Sequence, residues 1–203
     1  MAHVPVFYAT AHGQTMRIAE RIAAGLQSAG HASVALEVTS TAARTCDWRR
    51  VDGAVVAASL HAGSHQAVAE DFVRSHIRHL NALPCWFVSV SLSAASPNAN
   101  ERQAAERIAH AFPTATGWSA RRISCVAGRL AYTRYSMITR WMMRRIARKE
   151  GAPTDTSRDY ELTDWTALDA STWEFATEVW QCAGVTGGDD QMMGPLHRRA
   201  DAS

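Results

Sequence analysis

Apolar, strand-like runs alternate with helix-period segments from the N-terminus to about residue 130, and this alternation limits the chain to few folds. Residues 4–8 are short, apolar and β-prone. Residues 16–29 then place Ile18, Ile22 and Leu26 at a fourfold spacing, the mark of a helix with one buried face, and Gly30 follows as a stop. Residues 33–38, 51–59, 86–92 and 123–130 read as further strands, and 68–80 and 100–112 as helices. Several strands are continuous apolar runs; the one centred on residues 53–58 has no polar position at all. A strand of that kind is buried on both faces, which implies an α/β fold with a parallel sheet between two helical layers. No internal repeat interrupts the pattern. After residue 130 the rhythm changes. Residues 131–150 are arginine-rich and helical by composition, 151–159 read as a loop, and 165–182 as a terminal helix. From residue 184 to 203, Gly187, Gly188 and Gly194 with Pro195 indicate a disordered tail.

With 203 residues, the chain is expected to form one domain over 1–183, carrying an elaboration at 129–159. The net charge of +2 excludes a wholly acidic or wholly basic protein. Cys46, Cys85, Cys125 and Cys182 form no C-x-x-C pair and no Cys/His cluster, so reduced thiols in a cytosolic protein are expected and no metal site. His61 and His65 are four apart but in a loop, and His76 and His79 read as helix surface. The N-terminus lacks a basic segment followed by an apolar run, so no secretory signal is expected. The stretch 80–100 holds no charged residue but is too polar to span a bilayer.

Three places carry chemistry. The first is the turn after strand one, with Thr10, Gly13, Gln14 and Thr15 just before a helix start. Unpaired backbone N–H groups and a positive partial charge there suit a phosphate, and Gly13 lets backbone approach it. No Walker lysine and no G-x-G-x-x-G is present, so neither an ATP site nor a dinucleotide site is supported. A threonine-capped helix start without a ligand explains the same residues. The second place is the pair of loops after strands three and four, Ser59 to Gly63 and Ser91 to Ala95. Both are small and polar, and ligands of open parallel sheets sit beyond the carboxyl ends of strands. Composition alone favours two loops without a ligand.

The third place is the stretch 107–149, with ten basic residues and no Asp or Glu. Within it Arg129, Arg134, Arg140, Arg144, Arg145, Arg148 and Lys149 are concentrated, with Ile138, Trp141, Met142 and Ile146 on one helical arc. Such a segment can lie on an anionic membrane, clamp carboxylates or meet nucleic acid. It can also be a solvated helix packed on the domain.

Residues 7–15, with Gly13-Gln14-Thr15, resemble the phosphate loop of the flavodoxin family. The match extends to one branch, the menaquinone-linked protoporphyrinogen dehydrogenases of bacterial haem biosynthesis. Val55-Val56-Ala57-Ala58-Ser59-Leu60, Phe87-Val88-Ser89-Val90-Ser91-Leu92 and Ala127-Gly128-Arg129-Leu130 carry it. So do Tyr132-Thr133-Arg134-Tyr135, Thr154-Asp155-Thr156 and Thr163-Asp164-Trp165, in the same order and over residues 4–180. The resemblance implies a five-stranded sheet of order 2-1-3-4-5 and an FMN cofactor. Thr10, Ala11, His12, Gly13, Gln14 and Thr15 would hold its phosphate. Ser59, Leu60, His61, Ala62, Gly63, Ser91, Leu92, Ser93, Ala94 and Ala95 would flank its ring. His12 stands where the branch usually has an acidic residue, and Ala62 where an aromatic is common. Beside a phosphate, a protonated His12 would help to bind it; a solvent-exposed loop histidine is the plainer alternative.

The activity implied is oxidation of protoporphyrinogen IX, with electrons passed to menaquinone or ubiquinone. Arg129, Tyr132, Arg134 and Arg140 are the candidates for meeting propionates, and no side chain is marked out as an acid or base. The flavodoxin context speaks against nucleic acid. The segment 137–149 would hold a cytoplasmic enzyme at the inner face of the bacterial membrane. Rival readings are an electron-transfer flavodoxin, an NAD(P)H-fed quinone reductase, and a domain without flavin; the arginine segment does not suit the first, whose shuttles are usually acidic. The membrane reading predicts that Arg140→Glu, Arg144→Glu and Arg148→Glu together release the protein from anionic liposomes with its flavin retained. Unchanged sedimentation with liposomes would count against it.

Overall fold

The computed structural model describes residues 1–130, 155, 157 and 159–186. Five parallel strands form the sheet: β1 (Val6–Ala9), β2 (Ala35–Glu37), β3 (Ala54–His61), β5 (Cys85–Ser91) and β6 (Arg122–Ala127). They lie in the order β2-β1-β3-β5-β6, with short β4 (Ser64–His65) folded back antiparallel on β3. Counting the parallel strands alone, this is the expected order 2-1-3-4-5. The register pairs Val6 with Val55, and Val55 with Trp86.

Neighbouring residues on the central strands enter different cores, as the pleat requires. Val6, Val55, Trp86 and Val88 pack with Ile18, Ile22 and Leu26 of α1 (Gln14–Ser28) and with Leu168, Phe175 and Val179 of α6 (Trp165–Thr186). Phe7, Val56, Ala58 and Phe87 pack with Phe72 and Val73 of α3 (Ala67–Ser75), Leu80 of α4 (Ile77–Ala82) and Phe112 of α5 (Ala99–Thr116). A further short helix, α2 (Thr41–Arg44), follows β2 and is capped by the Ser40 hydroxyl. All four cysteines are free thiols, and burial pushes that of Cys85 up to about 12.

The elements depart from the sequence expectation at definite points. The helix expected over 68–80 breaks at His76, whose ring Nδ1 lies 2.8 Å from the Phe72 carbonyl oxygen. The strand expected over 123–130 ends at Ala127. Past Gly128, the two-residue strand β7 (Arg129–Leu130) leaves the sheet and pairs antiparallel with β8 (Tyr160–Glu161). The last helix runs to Thr186, beyond its expected end at residue 182. The expected helix 137–149 and the remainder of the tail lie outside the described residues.

Part of the acid-free arginine stretch finds its carboxylates across the fold. Arg122 bonds Glu174 at 2.8 Å and Glu178 at 2.9 Å, fastening edge strand β6 to α6. Arg21 of α1 holds Asp169 of the same helix at 2.6 Å. Gly25 lets α1 approach α6, since a Cβ there would meet Thr172 Cγ2 at 2.8 Å.

His65 is a buried titratable group beside the second core. Its ring meets Phe87 and Phe112 edge-on, and its Nε2 lies 2.9 Å from Ser89 Oγ. Burial lowers its pKa to about 4. An unfolded chain therefore binds a proton here, between about pH 6.5 and 4, that the folded chain refuses. Stability should fall as pH drops through that window, by up to about 1.4 kcal/mol per unit from this group. Urea midpoints for the wild type and His65→Leu at pH 7, 6 and 5 should diverge in slope; parallel declines would remove His65 as the cause.

Candidate functional site

A cavity of about 390 Å³ opens where the carboxyl ends of β1, β3 and β5 meet. This is where strand order reverses and the loops diverge. Its size lies within the range of small-molecule sites. Three of the segments that line it are those the sequence marked.

The first is the β1–α1 turn. Gly13 takes a left-handed conformation, φ 84°, with open space where a Cβ would stand. Its N–H donates to Thr10 Oγ1 at 2.9 Å. That hydroxyl closes the turn, and no side chain caps α1, so the capped-helix explanation of these residues is not realised. Thr10, His12, Gln14 and Thr15 line the cavity, whereas Ala11 and Gly13 form the turn without lining it. Gln14 has a task the sequence did not reveal. Its Nε2 donates to Glu161 Oε1 and Thr163 Oγ1, both at 2.9 Å, and Thr163 Oγ1 donates onward to the Ala127 carbonyl at 2.7 Å. The first turn of α1 is thus held by β8 and the residues just after it.

The second segment is the β3–β4 hairpin, and Ser59, Leu60, His61, Ala62 and Gly63 all line the cavity. Ala62 and Gly63 are the two turn residues, both with positive φ, 48° and 86°. Ser59 is buried and its Oγ has no hydrogen-bond partner. The ring of His61 stands edge-on to that of His12, 5.5 Å between centroids. Burial, and then the His12 charge, hold His61 below the ordinary histidine value.

The third segment follows β5. Ser91, Leu92 and Ser93 line the cavity, and Ser91 Oγ accepts from the Ala94 N–H at 3.2 Å. Ala94 and Ala95 turn away, into a separate hollow against β6 and the start of α6. Arg129 also lines the main cavity, and its guanidinium bonds the Asp159 carboxylate. Tyr132, Arg134 and Arg140 lie outside the described residues.

The sequence reading missed one wall. Glu101, Ala104, Ala105 and Ile108 of α5 face the cavity. Ala104 and Ile108 are half-buried neighbours of the buried Ala105 and Ala109, so their pattern carries no mark of a site. Glu101 accepts from Ser96 Oγ at 3.0 Å. Among the described residues no group of three or more potential metal ligands is present, and no helix is long and apolar enough to cross a membrane.

Residues 5–157 match the model of the flavodoxin domain family. The chain is 31% identical over 160 residues to the protoporphyrinogen IX dehydrogenase [quinone] of Escherichia coli K12, covering 79% of this chain and 87% of that one. It is 27% identical over 175 residues to the Leishmania major protein of the same name, covering 84% and 73%. Among solved structures, a flavodoxin from Streptococcus pneumoniae superposes with a TM-score of 0.51 at 18% identity, covering 89% of this chain and 99% of the other.

The left-handed Ala62 carries a conformational cost that glycine avoids, about 1–2 kcal/mol against a glycine entropy penalty of about 0.5–1. Ala62→Gly should therefore raise unfolding stability by about 0.5–1 kcal/mol, read as a shift in the urea midpoint at unchanged slope. A lower midpoint would show that the hairpin holds Ala62 without strain.

Proposed function

The chain belongs to the flavodoxin domain family, and we propose that it is an FMN-dependent enzyme oxidising protoporphyrinogen IX to protoporphyrin IX with a quinone as acceptor. The observation that carries this reading is the 31% identity to a protoporphyrinogen IX dehydrogenase [quinone], spread over most of both chains. The cavity agrees with it. Its uncapped helix start, the left-handed Gly13 and the orphaned Ser59 hydroxyl are features that a phosphorylated, hydrogen-bonding ligand would satisfy.

In this reading the N–H groups at the start of α1 bind the phosphate, with the Thr15 hydroxyl beside them. The absent side chain of Gly13 lets backbone approach the anion. Ser59 offers its hydroxyl from the β3 end, and the backbone of the 59–63 and 91–93 segments orients the ring. Leu60, Leu92, Ala104 and Ile108 keep water from the apolar side of the cavity. FMN supplies the two-electron chemistry that no amino-acid side chain provides. Aromatising the macrocycle takes three such two-electron steps.

Arg129 is the described candidate for a propionate. Its bond to Asp159 fixes the guanidinium at the cavity wall, and a bidentate donor can serve a second carboxylate from its remaining N–H groups. Tyr132, Arg134 and Arg140 are proposed to extend that surface. Residues 137–149, basic and without an acid, are proposed to hold the enzyme on the anionic inner face of the cell membrane, where quinones reside.

The test is anaerobic. FMN-loaded protein, protoporphyrinogen IX and a quinone should give porphyrin fluorescence that depends on the quinone and on the protein. Gly13→Val with Thr15→Ala should lose both bound flavin and activity. Flavin-loaded protein that forms no porphyrin, yet is reduced by another donor, would turn the reading to an electron shuttle or quinone reductase. A fully flavinated double variant would refute the phosphate-loop assignment.

A further inference from the structure

Two histidines that are far apart in sequence meet at the cavity mouth. His12 comes from the β1–α1 turn and His61 from the end of β3; both are exposed, and their rings touch edge to face. Beside them lie the uncapped start of α1 and the buried, unpartnered Ser59 hydroxyl. Two imidazoles in contact repel when both are protonated, so the empty site favours at most one charge on the pair. A phosphate dianion seated at the first turn of α1 reverses that balance, because it attracts both imidazolium ions.

We propose that His12 and His61 form a proton-linked clamp on the cofactor phosphate, taking up protons as the phosphate enters and thereby selecting FMN over riboflavin. The proposal rests on the FMN reading above and deepens it.

Other charged and titratable groups among the described residues border the cavity. Glu101 of α5 is bonded to Ser96, and Arg129 of β7 is paired with Asp159. Glu161 of β8 is tied to Gln14 and Arg17 of α1. His65 of β4 points into the core, with Nε2 on Ser89. Histidine is the side chain whose charge changes between about pH 5 and 8, and His12 and His61 are the two that line this cavity. The sign follows from linkage. A histidine that is neutral in the empty site and protonated in the complex makes binding weaken as pH rises, about tenfold per unit at most. The phosphate's own second ionisation, near pH 6, acts in the opposite sense and is nearly complete above about pH 7. Riboflavin lacks the phosphate and so lacks both effects.

Flavin-free full-length protein is titrated with FMN and with riboflavin, by fluorescence quenching, at pH 6, 7 and 8. The FMN-to-riboflavin affinity ratio should fall about tenfold from pH 6 to 8 in the wild type, and less than about twofold in His12→Asn/His61→Asn. Imidazole NMR titration should show both histidines raised by FMN and neither by riboflavin, with single variants giving the assignment. Both side chains are exposed, and His12→Gln/His61→Gln serves as a second pair should the asparagine variant fold poorly. A flat ratio in the wild type, or a double variant with the wild-type profile, overturns the clamp and leaves FMN binding standing. A pH-dependent loss shared equally by riboflavin puts the titrating group elsewhere and also overturns it. Folded protein that binds no FMN at any pH overturns the FMN reading itself, and the clamp with it.

Discussion

Along β3 and β5, one side chain enters the core beneath α1 and α6 and the next enters the core beneath α3, α4 and α5. Over 54–59 and 85–91 neither strand has a face left for water. Every backbone N–H and C=O in them must then find a neighbouring strand, because an unpaired one buried at this depth costs about as much as a lost hydrogen bond. β3 and β5 therefore lie in the middle of the sheet, and the shorter β2 and half-exposed β6 take the edges. With β3 beside β1, the sheet reverses its winding between them. The turns that leave β1, β3 and β5 consequently open onto one space, and the cavity is the result.

The chain after β6 strengthens this arrangement from outside. Gly128 releases the chain from the sheet, and its N–H donates to the Ser91 carbonyl at 3.0 Å. The Leu162 N–H donates to the Gly128 carbonyl, and Thr163 and Glu161 hold Gln14. The α1 end of the cavity is thus braced by residues about 150 positions away in sequence. Arg129 belongs to the same brace. Its pairing with Asp159 makes it part of the wall as well as a candidate contact for substrate.

Electrostatics changed most between sequence and structure. The run from 107 to 149 reads as an uncompensated positive segment, and this made a membrane or a polyanion its natural partner. In the fold, Arg122 lies between two glutamates of α6, and Arg129 meets Asp159. A linear count of charge cannot see a partner fifty residues away. With these two paired, the run carries less uncompensated charge than its linear count suggests.

Periodicity determined a good deal of this protein by itself. The fourfold spacing of Ile18, Ile22 and Leu26 fixed α1, and the unbroken apolar runs fixed the buried parallel strands, because hydrophobic burial reads directly from local pattern. The glycine turn before α1 and the small polar loops after two strands marked three sides of the site for the same reason: local conformation and local residue type sufficed. Only the tertiary structure supplied the α5 wall, the engagement of Gln14 by Glu161 and Thr163, the turning away of Ala94 and Ala95, and the meeting of His12 with His61. Each of these depends on which strands become neighbours and which way a side chain points once they do. That choice is made by the burial of the whole sheet, and no short stretch of sequence contains it.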